Sequence, residues 1–170
     1  MDDGKMIIDA VTSEAYDAAE KPFDFVEEGK ETALVCEQDA AARAKLVSQL
    51  KENGYLVTEA STAQDALKSM RYHNYDLVAV NENFDVNDSG NEVLAYLAEL
   101  DMQLRRKMFV ALLGERLRTN DNMAAFNKSV NLIVNNSNLD DAGAIIKKAV
   151  AENKAFYHVY MEILKQAGRG

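Results

Sequence analysis

The sequence predicts an α/β domain, a parallel sheet of five strands joined by crossover helices, and three observations carry that expectation. From Thr32 onward, short β-rich runs alternate with longer segments whose apolar residues recur at helical spacing, in five such pairs. One run, Met108 to Leu113, is continuously apolar, as a central strand covered on both faces must be. The only proline, Pro22, lies upstream, so the (βα)5 body is uninterrupted.

The first strand is expected at Thr32 to Cys36, followed by Asp39 as N-cap of a helix with Ala42, Leu46, Val47 and Leu50 on its apolar face and Gly54 as its stop. The second strand is Leu56 to Glu59. Ser61, with Gln64 three residues later, reads as a capping box that opens a helix with Ala63, Ala66, Leu67 and Met70 facing inward. Strand three is Asp76 to Val80, and the turn-rich stretch Asp85 to Gly90 leads into a third helix that buries Val93, Leu94 and Leu97. Met108 to Leu113 supplies strand four, Asn122 to Lys128 the fourth helix and Leu132 to Val134 strand five. The last helix is expected to begin near Asn138 as N-cap, with Asp140 and Asp141 at the positive end of its dipole.

A chain of 170 residues that is 48% hydrophobic can bury one sizeable core, which fits a single domain with extensions. Its formal charge is -9, and residues 1–31 hold 10 acids and 3 bases against 18 acids and 16 bases in residues 32–170. An acidic chain is repelled by phosphate backbones and anionic lipid, so neither nucleic acid nor a membrane is an expected partner, and a protein or small molecule is. No apolar run reaches the ~18 residues of a membrane span and the amino terminus is acidic, which makes the cytoplasm the default location. The single cysteine, Cys36, lies in the apolar run from Ala33 and reads as a buried, inert thiol.

Two parts lie outside the body at 32–150. Residues 1–31 form an acidic extension whose charge argues for a solvated tether, while its apolar clusters Met6-Ile7-Ile8 and Phe23-Asp24-Phe25-Val26 argue for docking against something. Residues 151–170 extend the last helix, which from about Leu139 to Gln166 would span ~40 Å, longer than one small sheet can cover. Its stripes turn polar at Glu152 and Asn153, and a second apolar face then begins with Phe156, Tyr157, Val159, Tyr160, Ile163 and Leu164. That face either buries Ile7, Ile8, Phe23 or Phe25, or forms a homodimer or partner interface.

Glu37-Gln38 closing strand one, Asn53-Gly54-Tyr55, the run Tyr75-Asp76-Leu77-Val78 with Asn81 closing strand three, and Gly90 before a helix occur in an order that resembles the response-regulator receiver domain. That family has the CheY-like, flavodoxin-like fold of two-component signalling, and the likeness covers about residues 32–150. It implies a doubly wound sheet with a cleft at the carboxyl ends of its strands, at the switch point of strand order. The chemistry it implies is phosphoryl transfer to an aspartate beside a magnesium ion, with a lysine pairing to the phosphoryl oxygens.

Position by position, this sequence departs from that pattern. The phosphoacceptor matches Asn81, whose neutral amide cannot form an acyl phosphate, and the acid pair after strand one matches Glu37 and Gln38. With the carbonyl of Asn83 as the remaining ligand, magnesium is expected to bind weakly. The hydroxyl of strand four matches Leu113, the lysine of strand five Asn135, the proline after it Asn136, and the rotating aromatic Leu132. A trans bond is expected at Asn135–Asn136. A conventional phosphoacceptor would then have to be Glu82, expected to point away from the cleft, or Asp85, beyond the strand end.

His73 and His158 have no second ligand at metal spacing, Arg105-Arg106-Lys107 is a short basic run before strand four, and no Gly-rich phosphate loop or Ser-His-Asp grouping occurs. No enzyme activity and no cofactor are therefore expected. The sequence reads as a degenerate receiver that binds a signalling protein without phosphorylation. The resemblance implies an output face on the fourth helix, fifth strand and fifth helix, here including Phe126, Val130, Ile145 and Lys148. A small-ligand sensor using the altered cleft is the alternative.

Overall fold

A computed structural model describes residues Gly29–Gly168. The expected docking of Ile7, Ile8, Phe23 and Phe25 falls on residues outside that range. From Glu31 onward the described residues form one compact unit.

Five parallel strands stand in the order β2-β1-β3-β4-β5, namely β1 (Thr32–Cys36), β2 (Leu56–Glu59), β3 (Leu77–Asn81), β4 (Phe109–Gly114) and β5 (Leu132–Asn135). The order reverses between β1 and β3, which opens a crevice at their carboxyl ends. β1, β3 and β4 are buried at every residue, so their apolar runs carry no polar alternation. Register places Ala33 beside Leu77 and Asn81 beside Leu113.

The helices are α1 (Ala40–Glu52), α2 (Ala63–Tyr72), α3 (Glu92–Glu99), α4 (Asn122–Asn127) and α5 (Ala142–Gln166), with a helical turn at Met102–Arg105 and a 3₁₀ turn at Asn136–Asp141. Asp39 caps α1 through the Ala42 N–H, and Gly54 ends it at φ +94°, a left-handed conformation that favours glycine. Two expected caps shift. Thr62, not Ser61, caps α2 by accepting from the Asp65 N–H, because Thr62 carries the extended backbone that a cap needs. Asn138 does not open α5. Its amide oxygen accepts from the Thr119 hydroxyl at 2.7 Å, and the chain turns once as 3₁₀ before α5 starts at Ala142.

One core lies between the sheet and the α1–α5 layer, with Leu46, Val47 and Leu50 of α1, Ile146 and Val150 of α5, and Leu77, Ala79, Leu113, Leu132 and Val134 of the sheet. α5 approaches α1 closely where Gly143 passes Gln49: a β-carbon there would meet Gln49 Cβ at 2.8 Å. Gln49 turns this contact into a clasp. Its amide donates to the Leu139 carbonyl at 2.9 Å and its oxygen accepts from the Gly143 N–H.

The long helix is continuous through the polar break at Glu152 and Asn153. Burial ends at Val150. Beyond it, Asn153, Tyr157, Tyr160, Met161 and Leu164 are half-buried along one stripe, while Phe156, Val159 and Ile163 stay 81%, 68% and 58% exposed. The second apolar face is thus divided between a half-covered edge and an open one. Among the described residues no helix is long and apolar enough to cross a membrane.

Arg105 is knitted into the body. Its guanidinium donates to the carbonyls of Met108 and Ser129 and to the Asn131 amide oxygen, and burial draws its pKa down. The basic run before β4 is therefore no uniform patch.

Ile146→Ala should lower the free energy of urea unfolding by ~2–5 kcal/mol, whereas Phe156→Ala in the same helix should change it by under ~0.5 kcal/mol. Cys36 is fully buried, and burial pushes its thiol above the ordinary 9.0. The folded pKa is raised, so its contribution is complete below the unfolded value and is lost as pH rises past it, by up to ~1.4 kcal/mol per unit. Between pH 7 and 10, Cys36→Ala should flatten the alkaline fall in unfolding free energy relative to the parent chain.

Candidate functional site

The cleft opens where β1, β3, β4 and β5 deliver their carboxyl ends. Its volume is about 500 Å³, and it is lined by Glu37, Gln38, Asn81 and Asn83, with Glu115 and Asn136 on the far side. Asp39, Ala42 and Leu139 complete the wall. Four of the seven expected pocket residues are thus brought together, and three are not.

Glu37 and Asn81 form its floor. Both are buried, at 5% and 7% exposure, and the Asn81 amide donates to Glu37 Oε2 at 2.7 Å. Glu37 Oε1 accepts from the Asp39 N–H at 3.0 Å, so each carboxylate oxygen already has a donor. Asn81 Oδ1 in turn accepts from the Asn83 N–H at 2.9 Å. A buried carboxylate is tolerated only when paired or hydrogen-bonded, and here an amide and a backbone N–H stabilise it without a cation.

A divalent cation of the kind the receiver resemblance implies does not fit this donor set. Of the three acids in the lining, Glu37 has both oxygens engaged, Asp39 accepts from the Ala42 N–H as the cap of α1, and Glu115 lies on the far loop. Among the described residues no three His, Cys, Asp or Glu side chains come together as metal ligands.

The three absent residues have turned elsewhere for identifiable reasons. Leu113 and Leu132 are buried members of the α1–α5 core, since an apolar side chain at these positions gains more beneath the sheet than in a polar cleft. Asn135 is held by the loop after β4: its amide donates to the carbonyls of Glu115 at 3.0 Å and Leu117 at 2.8 Å, while its oxygen accepts from the Ser137 N–H. Where the family would reach into the cleft with a lysine, this chain fastens the neighbouring loop. The Asn135–Asn136 bond is trans.

Neither alternative acid is aimed at the floor. Glu82 leans over Gly114 and accepts from the Glu115 N–H at 3.3 Å. Asp85 lies at φ +45°, its N–H donating to Gln38 and its carboxylate accepting from the Ala63 N–H at 2.7 Å, at the start of α2.

Asn91 is a site residue that sequence reasoning missed. Its amide donates to the carbonyls of Asn81 and Glu82, both at 3.1 Å, and its oxygen caps α3 at the Leu94 N–H. The signal was present, an asparagine directly before an apolar helical run, but a cap does not announce that its other end holds a strand terminus. On the expected output face Phe126 is 78% exposed and Lys148 is exposed, whereas Ile145 is half-buried. Val130 does not belong to that surface: it is buried just after α4, where the chain turns down into β5.

No family model matches the sequence, and no curated protein matches it. Solved structures match the fold. A CheY-like response regulator receiver domain protein from Methanospirillum hungatei is 18% identical with a TM-score of 0.59, covering 75% of this chain and 98% of its own. The chemotaxis response regulator CheY4 of Vibrio cholerae is 14% identical at TM-score 0.57, covering 71% and 98%. HP1043, an orphan response regulator of H. pylori, is 15% identical at 0.55, covering 73% and 99%. The fold of this chain is that of the CheY-like receiver domain.

Asn81→Asp would set two carboxylates against each other in place of donor and acceptor. The variant should lose ~1–3 kcal/mol of unfolding free energy at neutral pH and regain part of it with millimolar magnesium, while the parent melts at the same temperature with or without the ion. Thermal unfolding with and without magnesium checks both arms.

Proposed function

We propose that this chain is a receiver-like module of two-component signalling that acts by binding a partner protein, without phosphorylation. The observation that carries the reading is the buried hydrogen bond from the Asn81 amide to Glu37. Phosphoryl transfer needs a nucleophilic carboxylate, a cation to offset gathered charge, and a donor for the new oxygens. In this cleft the amide occupies the nucleophile's place and also donates to Glu37, the acid at the position where the resemblance puts a cation ligand. Asn135, in the place of the donor, is committed to two loop carbonyls.

With the cleft internally satisfied, recognition falls to the surface. The open apolar side chains Met123 and Phe126 on α4, and Phe156, Val159 and Ile163 on α5, support a partner-binding face along these two helices. Its apolar residues lie at the three- and four-residue spacings with which a helix presents a stripe to another protein. The small-ligand alternative has less support, because a cleft floor that has paired its own polar groups offers few convergent donors.

Incubation with acetyl phosphate and magnesium should add no mass to the intact chain, and beryllofluoride should leave the Asn81 and Glu37 amide resonances in place. An added phosphoryl mass mapped to any residue of the cleft would sink the reading. A partner captured by the full chain should be retained equally with and without phosphodonor and lost with Phe126→Glu or Phe156→Glu. Light scattering distinguishes a second copy of this chain as that partner.

A further inference from the structure

We infer that a groove at the opposite end of the sheet from the cleft is a docking site for a short acidic peptide segment, bearing aromatic or large aliphatic side chains, of a partner protein. It lies beneath the amino-terminal strand ends, where the second half of α5 overhangs them, and its volume is about 430 Å³. Such a volume falls within the range of specific binding sites. Nothing in the reading of the α4–α5 face depends on it.

Two struts hold the overhang. Lys154 of α5 pairs with Glu31 just before β1, and the Arg106 guanidinium lies 5.5 Å from the Tyr160 ring centroid while donating to its hydroxyl at 3.3 Å. Between these struts the groove keeps an apolar floor of Tyr55, Phe109, Val150, Tyr157, Met161 and Leu164. The half-burial of Tyr157, Met161 and Leu164 is explained by this geometry: each turns toward a surface that the sheet is too short to complete. Tyr55 remains a neutral donor there, its pKa pushed up to about 12 by burial first and then by Glu31 and Asp76.

Charge around the rim selects the occupant. Of its acids, Glu31 is paired with Lys154, and Asp76 accepts from the Thr32 N–H at 2.8 Å. Among the described residues Lys107 and Lys165 have no acidic partner, and Arg106 engages only Tyr160. Three cations therefore face two acids without a cationic partner, Asp76 and Glu162, an excess of positive charge at the rim in a chain of formal charge -9. A polyanion or an anionic membrane would extend beyond these cations over a chain of net negative charge, whereas a short acidic segment meets only the rim. Apolar side chains on that segment would enter the floor as anchors.

The test is selection from a random dodecapeptide library against the immobilised full chain, followed by fluorescence anisotropy of the enriched peptide. Enrichment of Asp and Glu flanking Phe, Tyr or Leu is expected, with affinity lowered at least tenfold by the double variant Lys107→Glu, Lys165→Glu and by Tyr157→Ala. Phe126→Glu should leave that affinity unchanged. Both lysines are exposed, so circular dichroism should report an unaltered fold. Failure to enrich any peptide, enrichment of neutral or basic peptides, or an affinity indifferent to the charge reversal overturns the proposal. A two-chain mass that the charge reversal splits also overturns it, by making a second copy the occupant.

Discussion

Three adjacent strands, β1, β3 and β4, are covered on both faces, and this burial constrains everything that leaves the sheet. Backbone groups at their ends have little water to turn to, so side chains must satisfy them. Amides do much of that work. Asn91 holds the exit of β3, Asn131 accepts from the Val110 N–H in β4, and Asn135 gathers two carbonyls beyond β4. An amide suits the role because it donates and accepts at once and carries no charge to desolvate.

The same property changes the cleft. In Asn81 the amide satisfies a buried acid and a turn N–H together, which makes the floor self-sufficient. A carboxylate there would demand a cation; an amide removes the demand along with the nucleophile. The proposed loss of phosphoryl chemistry and the internal satisfaction of the floor thus trace to the same residue. The energy scale agrees, since a buried, charge-assisted hydrogen bond contributes ~1.5–3 kcal/mol, comparable to what a weak ion site would supply.

α5 carries both of the surfaces proposed for recognition. Its first half is fixed to α1 by the Gln49 clasp and by Ile146 and Val150, and its second half projects past the sheet with one edge half-covered and the other open. A rigid helix anchored at one end presents side chains with little loss of entropy on binding, which favours recognition over flexible capture. Docking at either edge would draw on area that the domain's own core does not use.

Much of the fold was legible in the sequence, because strand burial and helical period leave direct marks: the five strands begin and end within a residue of their expected bounds, and Asp39 caps as its position required. Asn81, Glu37, Gln38 and Asn83 also met in the cleft as their strand-end positions implied. What the residues could not state was direction. Leu113, Leu132 and Asn135 occupy the expected strands, yet turn to the core or a loop, since a side chain chooses among neighbours that only the assembled sheet supplies. Val130 looked like surface but is buried where the chain passes from α4 to β5, and Arg105 looked like one of three solvated bases until three acceptors closed around it. Periodicity is written locally in the chain, while orientation and the groove beneath α5 arise from contacts between segments far apart in sequence, which tertiary packing alone decides.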